Sequence, residues 1–70
     1  MENLTLLDLV VLTRPMPALN LRKGEMGTIV EILDAEHFLV EFADTKGITY
    51  AMTPIATTSL MKVFYEPVLV

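Results

Sequence analysis

The run His37-Phe38-Leu39-Val40-Glu41-Phe42 constrains the fold of this chain more than any other six residues. Phe38, Val40 and Phe42 stand at alternate positions, and a period of two collects all three on one face of a β-strand. His37, Leu39 and Glu41 then face the other way. A helix would spread the same three apolar groups over more than half its circumference, leaving no compact face to bury.

Similar short runs recur along the chain, each closed by a turn signal. Residues 8–13 read as a first strand, stopped by Arg14-Pro15-Met16-Pro17 because proline cannot donate to a ladder. Residues 18–24 connect it to a second strand over 28–33, in which Val30 and Ile32 share a face while Glu31 points to water. Asp34-Ala35-Glu36 ends that strand, and residues 37–42 form the third. Asp44-Thr45-Lys46-Gly47 is a hairpin loop with Gly47 available for a positive φ. Residues 48–52 make the fourth strand, Thr53-Pro54-Ile55 turns the chain, and residues 60–65 make the fifth. Only residues 1–12 also read as helix, and there the strand reading is preferred. Five short strands with turns every ten residues or so predict an all-β domain, a small five-stranded barrel. Closing the sheet would remove its edges.

Seventy residues make one domain. A chain this short buries only roughly 60% of the surface its unfolded form exposes. Small domains often add disulfides, metals or a partner. Cysteine is absent, and a single histidine, His37, argues against a zinc site, so no metal or cofactor is expected. A protein partner or a homo-oligomer is the route left. The chain is 53% hydrophobic, with a mean hydropathy of +0.53. So small an interior leaves apolar groups outside, where contiguous patches mark interaction sites. The longest apolar run falls far short of the roughly 20 residues that span a bilayer. Residues 1–12 lack the basic region and cleavage site of a secretory signal. A cytoplasmic protein without a membrane partner is therefore expected. A net charge of −4 also works against nucleic acid, whose phosphates call for a basic stripe.

The segment Arg22-Lys23-Gly24-Glu25-Met26-Gly27 tests for a phosphate grip. Walker and dinucleotide loops carry more glycines or a Gly-Lys-Ser/Thr end, and both open a helix. Here a β-forming stretch, Thr28-Ile29-Val30-Glu31-Ile32, follows instead. The KH loop is basic, but Glu25 puts an anion inside this one. The structural reading is that Gly24 supplies a positive φ in a turn, while Gly27 permits a bulge or a close backbone approach.

Three segments carry a resemblance: Leu7-Asp8-Leu9-Val10-Val11-Leu12-Thr13, Leu21-Arg22-Lys23-Gly24-Glu25-Met26-Gly27-Thr28-Ile29-Val30-Glu31 and Phe38-Leu39-Val40-Glu41-Phe42. Together they resemble a cyanobacteria-rich family of short bacterial proteins known only as a domain of unknown function. Its pattern is LxDxVVLT, then GxxGTVVE, then FxVEF. The resemblance covers roughly residues 6 to 63 and implies an SH3-like five-stranded barrel, with no catalytic residue. It also implies a pairwise complex, of toxin–antitoxin type, with an adjacently encoded small protein. The chain departs from the pattern where it continues past Val63, and at Leu39, an outward position where a polar residue is as common.

Catalytic chemistry finds little support in the sequence. His37 could act as a base only beside a nucleophile, and Ser59, the sole serine, sits in no recognisable elbow. Glu31 and Glu41 could face one another across adjacent strands, where two solvated carboxylates are the plain reading. Met16, Met26, Met52 and Met61 read as fillers of a small core rather than as a binding surface. Most of the few aromatic rings are needed inside, which leaves no row for stacking bases. The expectation is a non-catalytic module, with residues 1–63 as the barrel and 64–70 as an apolar tail. Leu39, Phe64, Tyr65, Val68 and Leu69 are the candidate partner-binding residues. The alternative is a KOW- or Tudor-like nucleic-acid-binding barrel using Arg14, Arg22 and Lys23.

Overall fold

The computed structural model describes residues 3–64. Five strands follow in order: β1 (Leu9–Leu12), β2 (Met26–Ile32), β3 (His37–Ala43), β4 (Thr49–Ala56) and β5 (Leu60–Lys62). Short 3₁₀ turns at Pro17–Leu19 and Thr57–Ser59 complete the set. All strand pairs are antiparallel, and one sheet runs in the order β4-β3-β2-β1-β5. The domain is all-β and SH3-like.

The short link between β4 and β5 dictates the curvature of that sheet. In a flat sheet its edge strands would lie about 19 Å apart, at about 4.8 Å per strand spacing. Ala56 and Leu60 are four Cα steps apart, which spans at most about 15 Å fully extended. The 3₁₀ turn between them shortens the reach further. The sheet must therefore coil back on itself. Ile55 of β4 and Leu60 of β5 accordingly meet Val10, Leu12, Ile29, Phe38, Val40 and Phe42 in one core. No β4–β5 ladder forms among the described residues. The barrel curls without closing, and the expected removal of its edges does not occur.

The third strand follows its sequence pattern: Phe38, Val40 and Phe42 are buried and its other residues are not. The second departs from it. Ile29, not Val30 or Ile32, enters the core, and Ile32 is exposed. Ile29 lies opposite buried Val40, and just beyond it a β-bulge at Val30 breaks the register against β3 between Ile29 and Glu31. The extra residue exchanges the faces beyond it, so Glu31 stands on the outer face with Leu39 and Ile32 comes opposite Phe38 at the strand's end, where it stays 48% exposed. The two acids are offset along the strands: Glu31 lies opposite Leu39, while Glu41 lies between Thr28 and Met52. Glu31 and Glu41 do not face one another.

Other boundaries also move. The fourth strand continues through Pro54 to Ala56, so Thr53-Pro54-Ile55 is strand and the turn comes at Thr57–Ser59. Proline is tolerated there because β4 pairs on one side only among the described residues. The fifth strand ends at Lys62, and Tyr65 lies outside the described residues. Gly24 has φ 90° and Gly47 φ 80°, as the turns require.

Candidate protein-binding surface

The register of β1 lays an apolar line across the convex side of the sheet. Val10 and Leu12 point into the core, so Leu9 and Val11 point away from it. Val11 lies opposite Met26 on β2 and opposite Met61 on β5. Met26 and Met61 are each 51% exposed. Next to this line, the backbone N–H of Val63 donates to the carbonyl of Leu9 at 2.8 Å. On the far side Glu41 bounds the apolar area, its carboxylate accepting a hydrogen bond from the Thr49 hydroxyl at 2.9 Å. Met52, opposite Glu41, is also about half exposed. Of the four methionines read as core fillers, only Met16 packs against the core. Met26, Met52 and Met61 occupy the outward positions of their strands, where an adaptable apolar side chain meets water.

The basic loop does not form a phosphate cradle. The Gly24 N–H donates to the Leu12 carbonyl at 2.8 Å, and the Glu25 N–H to the Arg22 carbonyl at 3.2 Å. The Arg22 N–H donates to the Glu25 carboxylate. The same carboxylate accepts a hydrogen bond from the Tyr50 hydroxyl at 3.1 Å. Burial, then that carboxylate, hold the Tyr50 phenol above its ordinary pKa. These amides are engaged within the protein. Gly27 has no positive φ; it is a close approach, because a Cβ there would lie 2.6 Å from Val40 Cγ1 and 2.9 Å from the Glu41 carbonyl oxygen. Arg14, Arg22 and Lys23 are all exposed on the β1–β2 connection.

The remaining candidate residues scatter. Leu39 is half-buried on β3, between Glu31 and Pro54, away from the methionine line. Phe64 is 70% exposed, with Lys62 Nζ 5.2 Å from its ring centroid. Tyr65, Val68 and Leu69 lie outside the described residues.

At the β2–β3 turn, Asp34 accepts a hydrogen bond from the Glu36 N–H at 2.7 Å and stands 3.1 Å from His37 Nδ1. The Glu36 amide, then the imidazole, hold its carboxyl below the ordinary value. Two clefts open beside this turn. One, of about 460 Å³, is lined by Asn3, Leu4, Ala35, Phe38, Thr57, Thr58 and Leu60. A smaller one, of about 270 Å³, includes His37 and Glu36 and shares the two threonines. Ser59 is buried in the 3₁₀ turn.

Sequence reasoning also missed the turn before β1. Asp8 caps it, accepting from the Thr5 N–H at 2.9 Å while the Asp8 N–H donates to the Thr5 carbonyl. Leu7 at its tip has φ 68° and is 77% exposed, and Leu6 beside it is 49% exposed. A left-handed leucine costs about 1–2 kcal/mol. The available signal was Thr5-x-x-Asp8, a turn-forming spacing.

A family model described as a domain of unknown function, DUF4926, matches residues 6–62. No curated protein and no solved structure matches the chain.

Proposed function

The chain belongs to the DUF4926 family of domains of unknown function, a family defined without an activity, and from its surface we propose that it is a small, non-catalytic module that binds another protein. The observation that carries this reading is the line Met26–Val11–Met61. Three strands converge to hold these side chains outside, although the same residue types would serve a core of this size well. Methionine adapts its shape to a partner, which suits such a surface. Phe64 is also exposed, beyond β5, and the proposal includes it with Tyr65, Val68 and Leu69 as further apolar contacts. Leu39, set apart and half-buried, contributes least. We place the module in the cytoplasm, in keeping with a chain without cysteine, and its partner is a second small protein.

The test is capture from the native host with tagged protein, comparing wild type, Met26→Glu with Met61→Glu, and a truncation after Val63. The expected result is a partner held by wild type and lost from the glutamate variant while its thermal melt is retained. Equal capture by all three forms would remove these surfaces from the reading. The competing reading, a KOW- or Tudor-like nucleic-acid barrel, rests on the joint exposure of Arg14, Arg22 and Lys23. A salt titration against RNA and DNA decides it, because phosphate-driven binding falls steeply with salt. Affinity tighter than micromolar at physiological salt would favour nucleic acid.

A further inference from the structure

The Leu7 N–H donates to the Ile29 carbonyl at 2.7 Å and ties its turn to β2, but the core has no use for its side chain. Its φ of 68° strains any residue with a side chain, and its side chain is 77% exposed. Glycine or asparagine would fit that turn position with less strain. A strained backbone that displays a large apolar group is a pointer to function rather than to stability.

Three residues earlier, Leu4 lines the cleft of about 460 Å³, whose floor includes Phe38 and Leu60. A projection and an apolar-floored hole thus lie side by side on one chain. Neither the cleft lining nor the Leu6–Leu7 tip carries a charge. That neutrality matters for a molecule of net charge −4, since the seated leucines and the cleft lining bring no carboxylate together, while Glu36 stays at the exposed rim. Because projection and hole are neighbours, one two-fold axis between them seats each projection in the other copy's hole, which closes the assembly at two. Residues 3–7, 35–38 and 56–60 make up the turn, the cleft and its rim. A standard interface takes about 800 Å² from each partner, roughly one-seventh of this chain's 5281 Å². Those three segments are 14 of the 62 described residues, a larger share of the chain than one-seventh.

We propose that the chain forms a two-fold homodimer in which the Leu6–Leu7 turn of each copy docks into the Leu4–Phe38–Leu60 cleft of the other. The inference rests on the binding-module reading but uses a different surface from the methionine line.

Sedimentation velocity or light scattering over a wide concentration range tests it, on full-length protein. Leu7→Gly removes the projection and relieves the strain, so it should melt no lower than wild type yet dissociate about tenfold more readily or beyond. Thr58→Arg blocks the exposed mouth of the cleft and should also give monomers. Mixing the two variants restores one intact contact, between the arginine variant's leucine and the glycine variant's cleft, so dimer should reappear in the mixture alone. A wild type that stays monomeric, a Leu7→Gly protein that associates as wild type does, or a mixture that remains monomeric overturns the dimer. Partner capture through Met26 and Met61 is scored separately. A monomer that still captures a protein refutes the self-docking and leaves the binding-module reading standing, whereas a dimer that captures nothing does the reverse.

Discussion

At Gly27 a hydrogen in place of a methyl decides whether β2 can lie against β3. An alanine Cβ would fall 2.6 Å from Val40 Cγ1, 2.9 Å from a backbone oxygen and 3.0 Å from Phe42 Cδ1. Val40 and Phe42 are fully buried and have nowhere to go. Gly27→Ala should therefore destabilise the domain by about 1–3 kcal/mol in urea unfolding, an overpacking effect. At Gly24 the space is open and only φ 90° resists a side chain, so Gly24→Ala should lose about 1–2 kcal/mol. Tyr50 is a milder case. Removing its hydroxyl in Tyr50→Phe frees Glu25 at a half-exposed site, for a loss at the low end of about 0.5–1.5 kcal/mol. Because folding raises this phenol's pKa above 10.0, its contribution is complete below pH 10 and disappears as pH rises through the raised value. Thermal melts of wild type and Tyr50→Phe should converge in that alkaline window. Asp34 has the opposite sign. Its folded pKa lies below 3.8, so its contribution is present above that value and lost as pH falls through the lowered one. Asp34→Asn should differ from wild type at neutral pH and match it in strong acid.

Among the elements, β2 and β4 show how one residue redirects a strand. The bulge at Val30 turns Glu31 outward beside Leu39 and brings Ile32 opposite Phe38, so the faces of β2 beyond Ile29 are set by pairing with β3 and not by its own β-branched run. Pro54 acts at the edge. It lies opposite Leu39 in a strand with no neighbour on its other side among the described residues, and it removes one N–H from that open edge. Edge strands with unbroken donors recruit further strands. Pro54→Thr should keep the fold, since threonine suits a strand, but should raise light scattering on heating or concentration above that of wild type. Equal scattering would show that β4 is protected by something other than its proline.

For the whole molecule, stability rests on a core that includes, among the described residues, nine buried apolar side chains drawn from all five strands and the β1–β2 loop. At about 0.05–0.15 kcal/mol per residue, a 70-residue domain has on the order of 4–10 kcal/mol to lose. Phe42 is its largest fully buried side chain. Phe42→Ala, at about 3–5 kcal/mol, should remove much or most of that stability, and circular dichroism melts should show a large fall in transition temperature. Opening of the sheet should be graded as well. The central strands β2 and β3 should exchange their amide hydrogens slowest and the three-residue β5 fastest.

The sequence by itself determined the class of fold and most of its punctuation. Alternation at 37–42 and turn glycines at 24 and 47 act over a few residues, so they can be read without knowing what lies across the sheet. It did not determine the faces of β2, the length of β4 or the place of the methionines. Those depend on partners far along the chain: Val30 is extra only relative to β3, and Pro54 is harmless only because β4 is an edge. Met26 and Met61 stand on one line only because β1 lies between β2 and β5. The candidate surface was therefore largely hidden, since a hydrophobic residue read alone says that it is apolar and not which side of a curled sheet it will occupy. Tertiary pairing decided that, because a one-residue change of register exchanges inside for outside.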